Sequence, residues 1–121
     1  MAVIIGGGIG AAARYGSNQL VLSLWRGPFP LGTLCVNALG SLLIGFLFQI
    51  FESQKVPGEL RLFFITGFLG GYTTFSSYAV ETLRLFSAGQ LKQALLNVLT
   101  NNLGAMVLVA MGMWLSKTLV K

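Results

Sequence analysis

The chain has 121 residues, of which 55% are hydrophobic and only 9% charged, with a mean hydropathy of +0.78. That balance is too apolar for an ordinary soluble domain and reads as one membrane domain over residues 1–121, with no extramembrane part to carry a separate activity. There is no histidine, and the only acids are Glu52, Glu59 and Glu81, which excludes a histidine-bearing zinc site, a Ser-His-Asp triad and a histidine proton relay and leaves no basis for an enzyme.

The first apolar run, Ala2 to Leu24, predicts a helix over about residues 2–24, interrupted only by Arg14. Lacking a basic leader, it does not read as a cleavable signal peptide. Gly6 and Gly10 form a GxxxG pair that lets two helix backbones approach closely. A guanidinium inside an apolar segment is costly unless it faces protein or water, so Arg14 is either functional or snorkels to the nearer surface. Trp25 to Pro30, with Gly27, Pro28 and Pro30, has turn chemistry.

The second run, Leu31 to Phe51, carries no charge and predicts a helix over about residues 31–52. Asn37 and Ser41 lie four apart, hence on one face. Cys35 is the one cysteine, so it makes no internal disulfide and reads as a small packing residue. Pro57-Gly58 breaks the chain before the third run, Leu62 to Val80, which sits in a helix over about residues 61–86.

That third segment contains GFLGGYTTFSSY, Gly67 to Tyr78, an unusual concentration of glycines and hydroxyls for membrane depth. Gly70-Gly71 followed by Thr73-Thr74 weakens the helix, and carbonyls released there need a partner in protein, water or a cation. Backbone oxygens turned inward can hold a cation without any acid. Phe75 and Tyr78, three apart, share a face; they are either packing aromatics or rings whose positive edges favour a small anion. Gly89 is placed to end this helix. The fourth run, Gln93 to Ser116, predicts a helix over about residues 91–117, with Asn97 and Asn101 four apart and Thr100 and Asn102 nearby. Buried asparagines commonly join helices by hydrogen bonds; several of them beside a hydroxyl-rich segment also fit a lined pathway. No Asp, Glu or His falls deep within a run, so amide and hydroxyl donors with an arginine suit an anion better than a cation or proton.

Four crossings put Lys55, Arg61, Lys117 and Lys121 on one side and Arg26, Arg84 and Lys92 on the other. Four against three gives little preference for either orientation, so insertion both ways up and antiparallel pairing are open to this chain. The net charge of +5 comes from single residues at the ends of runs rather than a basic cluster, which excludes a nucleic-acid partner.

Four stretches, GGGIGAAARY (Gly6 to Tyr15), PLGTLCVNALGSLLIG (Pro30 to Gly45), GFLGGYTTFSSYAVE (Gly67 to Glu81) and ALLNVLTNNLG (Ala94 to Gly104), resemble the Fluc (CrcB) fluoride channel family in order and spacing along essentially the whole chain. The resemblance implies an all-α membrane protein of four transmembrane helices, the third broken mid-membrane, forming an antiparallel dual-topology homodimer in the inner (plasma) membrane with fluoride as its ion. It further implies a fluoride pathway of Asn37, Ser41, Thr74, Phe75, Ser76, Ser77, Tyr78 and Asn101, with Arg14 adding positive potential nearby and Glu81 matching the family's third-helix acid. The Gly70 and Thr73 carbonyls match those holding a structural sodium ion at the dimer centre. Tyr78 stands where the family commonly has phenylalanine, Asn97 where tyrosine is frequent, and Asn101 and Ala105 at frequent serine positions. Two rivals remain at this point: a proton-coupled dual-topology multidrug or cation exporter, which needs an acid in the first helix, and a non-transporting membrane subunit.

Overall fold

The computed structural model describes residues 1–120; Lys121, one of the basic residues at the run ends, lies outside the described residues. Among the described residues the fold is all helical, with four helices in chain order. The first is Ala2–Leu24 and the second Leu31–Ser53. The third comprises two helical pieces, residues 58–72 and Phe75–Ser87, and the fourth is Leu91–Leu119.

Local chemistry explains the boundaries. Pro30 and Pro57 stand immediately before the second and third helices, where a missing N–H costs nothing. At Thr73 and Thr74 the backbone is extended (φ −81°, ψ 157° and φ −148°, ψ 116°) rather than helical. Thr74 then restarts the helix as its cap, the hydroxyl accepting the Ser77 N–H at 3.2 Å. Gly89 takes the left-handed conformation, φ 76°, that ends the third helix.

Two stretches depart from regular α geometry. Leu62–Leu69 and Thr100–Gly104 are wide π turns, one residue per turn longer than an α-helix, and both lie beside the region where the polar groups gather.

Packing follows the glycines. A Cβ on Gly6 or Gly10 would collide with the backbone carbonyls of Phe63 and Phe68, so these two glycines let the first helix lie against residues 62–69. Gly45 and Gly112 do the same between the second and fourth helices, against the carbonyls of Val109 and Leu42. The molecule is thus two close helix pairs, first with the first piece of the third, second with the fourth. The second piece of the third helix packs along the start of the fourth.

Burial is sparse. Val36, Phe51, Leu69, Tyr72, Tyr78, Leu85 and Ala94 are the buried apolar and aromatic residues, while Ile4, Leu20, Phe86, Val107 and Trp114 stand largely exposed. Such a surface needs lipid or another protein to cover it. Two helices, Leu31–Ser53 and Leu91–Leu119, are individually long and apolar enough to cross a membrane. The Arg61–Glu52 ion pair spans the loop between the second and third helices at an exposed site, where such pairs contribute little.

Candidate functional site

The interruption of the third helix opens a cavity of about 310 Å³ between the second, third and fourth helices. Asn37 and Ser41 come from the second helix, Thr73, Thr74, Phe75 and Tyr78 from the interruption and the turn after it, and Asn101 and Asn102 from the fourth. Ile44, Ile65 and Leu69 close it with apolar surface, and among the described residues no charged side chain lines it. Gly40 makes the approach possible, because a Cβ there would strike the Thr73 methyl group.

Asn37 is the organising residue. Its Oδ1 accepts the Thr74 N–H at 2.8 Å, and its Nδ2 donates to the Thr74 carbonyl at 3.0 Å and to Asn101 Oδ1 at 2.9 Å. One side chain therefore satisfies both polar groups of an extended residue that helical geometry abandons. Both Nδ2 protons are engaged by the protein itself, so an anion drawing on the Asn37 amide has to displace one of these acceptors.

The aromatic pair is set edge to face, with ring centroids 5.2 Å apart and planes at 63°. Phe75 is 74% exposed while Tyr78 is buried, its hydroxyl accepting from Asn102 Nδ2 at 2.9 Å. The extra hydroxyl of the tyrosine thus has a dedicated partner. Thr74 lies at the inner end of a second polar strip, its Oγ1 donating to Ser77 Oγ at 3.1 Å and lying 3.4 Å from Ser76 Oγ. Ser76 and Ser77 do not line the cavity with Asn37; they face a separate depression with Val80, Glu81 and Arg84. Glu81 Oε1 accepts from the Thr33 hydroxyl at 2.7 Å.

Arg14 does not line the cavity either. Its Nη1 donates to the Thr73 carbonyl at 3.2 Å, so a half-buried cation meets one of the acceptors released by the interruption. The neighbouring Ser17 and Tyr72 hydroxyls are 3.1 Å apart on the same contact.

The two carbonyls singled out for sodium differ in their surroundings. Gly70 loses its expected helical donor because the Thr74 N–H turns to Asn37, and Gly70 is exposed at the surface. The Thr73 carbonyl carries Arg14. Among the described residues no group of three His, Cys, Asp or Glu side chains could hold a metal. Backbone carbonyls are among the oxygen donors that a hard cation takes, and the Gly70 carbonyl is one that the interruption leaves without its helical donor.

Two polar participants lie outside the pathway expected from the sequence, Asn102, noted there only as a neighbour, and Thr82. Asn102 pairs with Tyr78, and the signal for it is the tyrosine itself, since a buried hydroxyl demands a partner. The wide turn at Thr100–Gly104 lets consecutive residues Asn101 and Asn102 both reach the cavity, a placement regular helical spacing does not foresee. Thr82 donates to the Tyr78 carbonyl at 2.8 Å and accepts from Asn97 Nδ2 at 2.9 Å, and nothing in its sequence context marks it.

An uncharged cavity with amide and hydroxyl groups set in apolar walls at a helix interruption, inside an all-helical chain with apolar outer faces, defines a small membrane protein built to pass or hold a small solute. The family model described as CrcB-like protein, Camphor Resistance (CrcB), matches residues 1–113. This chain belongs to the CrcB family. It is 42% identical over 118 residues to the fluoride-specific ion channel FluC of Parabacteroides distasonis, covering 98% of this chain and 92% of that one. It is 47% identical over 116 residues to the FluC of Pyrococcus furiosus (95% and 93% covered) and 45% identical over 116 residues to that of Coxiella burnetii (93% and 90% covered). These relatives are named as ion channels, not as enzymes.

Proposed function

We propose that this protein is a fluoride-selective channel that lets fluoride leave the cell passively and so limits its toxicity. The carrying observation is the cavity at the third-helix interruption, where amide, hydroxyl and aromatic-edge groups converge without a charged side chain. Fluoride is small and strongly hydrated, so a selective path replaces its water with several donors while keeping each site shallow enough to leave. Ser41 and the Asn37 amide offer such donors, and the Phe75 and Tyr78 rings offer positive edges. Arg14, one bond away from the cavity through the Thr73 carbonyl, adds positive potential. Ser76 and Ser77 extend the path along the adjoining depression. An inside-negative potential drives the anion outward with about 2.3 kcal/mol per charge per 100 mV, so no pump or nucleotide is needed.

In this reading the protein crosses the inner membrane four times, the interruption lies at mid-depth, and two copies pair antiparallel. Nearly even charge on the two sides supports dual insertion, and the exposed apolar faces supply surface for lipid and partner alike. The Gly70 and Thr73 carbonyls would hold a structural sodium ion at the dimer centre, which supplies fixed positive charge between the copies. A proton-coupled exporter is disfavoured, because it needs an acid in the first helix and Ala2–Leu24 carries Arg14 and no carboxylate. Purified protein in liposomes, monitored with a fluoride electrode, is expected to release fluoride without a proton gradient. Liposomes that retain their fluoride would overturn the proposal.

A further inference from the structure

Beyond Asn37 the polar contacts continue as a chain of amides whose direction is fixed at both ends. Asn101 Nδ2 donates to Asn97 Oδ1 at 2.8 Å and to the Asn97 carbonyl at 3.0 Å, and Asn97 Nδ2 donates to Thr82 Oγ1 at 2.9 Å. The single Thr82 hydroxyl proton goes to the Tyr78 carbonyl, so Thr82 Oγ1 can only accept from Asn97. At the other end Asn37 Oδ1 accepts the Thr74 N–H, which can only donate, so Asn37 turns its Nδ2 to Asn101. Backbone groups that cannot reverse therefore anchor both termini. Flipping Asn101 would set amide nitrogen against amide nitrogen at Asn37 and oxygen against oxygen at Asn97.

We propose that Asn97 and Thr82 are positioning residues that hold the Asn101 side-chain oxygen against the Asn37 amide, as a resident acceptor that each passing anion must displace. This rests on the channel reading and deepens it. Neither Asn97, fully buried, nor Thr82 lines the cavity; the hydrogen bonds that tie them to a cavity side chain run through Asn101, and Thr82 otherwise bonds to the backbone carbonyl of Tyr78 in its own helix. A resident carbonyl keeps the Asn37 donor satisfied between ions and weakens the hold on each one, which is what rapid exit from a narrow path requires. One neutral hydrogen bond of ordinary net strength corresponds to about a two- to tenfold change in a binding constant.

The test is the fluoride concentration that gives half-maximal initial efflux from liposomes containing the full chain. Thr82→Val keeps shape but removes the anchor, and Asn101→Ala removes the resident oxygen; each is expected to lower the half-saturating concentration about two- to tenfold. The double variant Thr82→Val/Asn101→Ala is expected to match Asn101→Ala alone, because Thr82 has nothing left to position. Thr82→Ser, which keeps the hydroxyl, is expected to retain the wild-type value. Independent, additive effects of Thr82→Val and Asn101→Ala overturn the inference while leaving the channel reading intact, as does an unchanged half-saturation in Thr82→Val. A silent wild-type protein overturns the channel reading and this inference with it.

Discussion

Asn37, on the second helix, brackets the backbone of Thr74, thirty-seven positions away, accepting its N–H at 2.8 Å and donating to its carbonyl at 3.0 Å. The bracket replaces the two helical hydrogen bonds that the extended residue gives up, so the interruption is held by a side chain rather than merely permitted by glycines.

Asn37→Asp keeps the acceptor for the Thr74 N–H but loses both donated bonds and introduces a negative charge into an otherwise uncharged cavity. Fluoride efflux is expected to fall at least about a hundredfold, because a stranded charge and an unpaired carbonyl together cost several kcal/mol. Stability should fall as well, by about 1–3 kcal/mol, read as an earlier thermal transition in detergent. Efflux within a fewfold of wild type would mean that Asn37 does not touch the ion path.

The aromatic pair separates ring from hydroxyl. Tyr78→Phe removes the acceptor of Asn102 Nδ2, which retains its bond to the Val98 carbonyl at 2.7 Å, so stability is expected to drop only about 0.5–1.5 kcal/mol. Efflux should stay within about tenfold, since the ring edge survives. Phe75→Ile removes a ring that is mostly exposed and makes few packing contacts, so its stability should barely change while efflux is lost. The reverse pattern, a destabilised but conducting Phe75→Ile protein, would assign Phe75 to packing.

Much of this arrangement is legible in the order of residues alone. Long apolar runs, uncharged but for Arg14 in the first and separated by Pro-Gly and glycine turns, mark four helices, and the GxxxG at Gly6 and Gly10 marks a close crossing that the fold places against Phe63 and Phe68. The density of glycine and threonine from Gly67 to Thr74 marks where helical geometry fails, because released carbonyls in an apolar setting need a local remedy. What sequence spacing cannot supply is the remedy itself. Asn37 reaching Thr74, Arg14 reaching Thr73 and Asn102 reaching Tyr78 are contacts between helices, set by crossing angle and rotation rather than by periodicity. The wide turn at Thr100–Gly104 contains Asn101 and Asn102 and alters their placement around the helix axis, and both line one cavity. Ser76 and Ser77, neighbours of Phe75 in sequence, follow the helical rotation onto the adjoining depression instead.

Glycine positions give a stability contrast within one helix. Gly10→Ala places a methyl group into the Phe68 carbonyl, a backbone atom that cannot step aside, whereas Gly8 and Gly16 have nothing within 4 Å of an added Cβ. Gly10→Ala is expected to destabilise by about 1–3 kcal/mol or more, and Gly8→Ala and Gly16→Ala to be neutral or stabilising by up to about 1 kcal/mol from helix propensity. Thermal unfolding in detergent checks all three. Equal melting temperatures would show that the first helix is free to move away from residues 62–69.

Gly70 offers the sharpest test of the paired assembly. Within one chain a Cβ added there meets only the Ile65 carbonyl, at 3.8 Å, an ordinary contact, and the residue is exposed. An isolated chain should therefore accept Gly70→Ala with no loss of stability, since the residue's helical dihedrals (φ −62°, ψ −37°) are open to alanine; because Gly70 also lines the cavity, the dimer fraction and the sodium dependence are the deciding readouts rather than efflux alone. If a second copy instead lies against this glycine and shares a cation through its carbonyl, the methyl group intrudes on the partner. Gly70→Ala is then expected to lower the dimer fraction in size-exclusion chromatography and to cut fluoride efflux together with its dependence on sodium, while Thr73→Val, which alters only a side chain that donates to the Leu69 carbonyl, preserves that dependence. A dimeric, sodium-dependent Gly70→Ala channel would remove Gly70 from the interface, because no surface packed closely enough to hold an ion between two backbones leaves room for an added carbon.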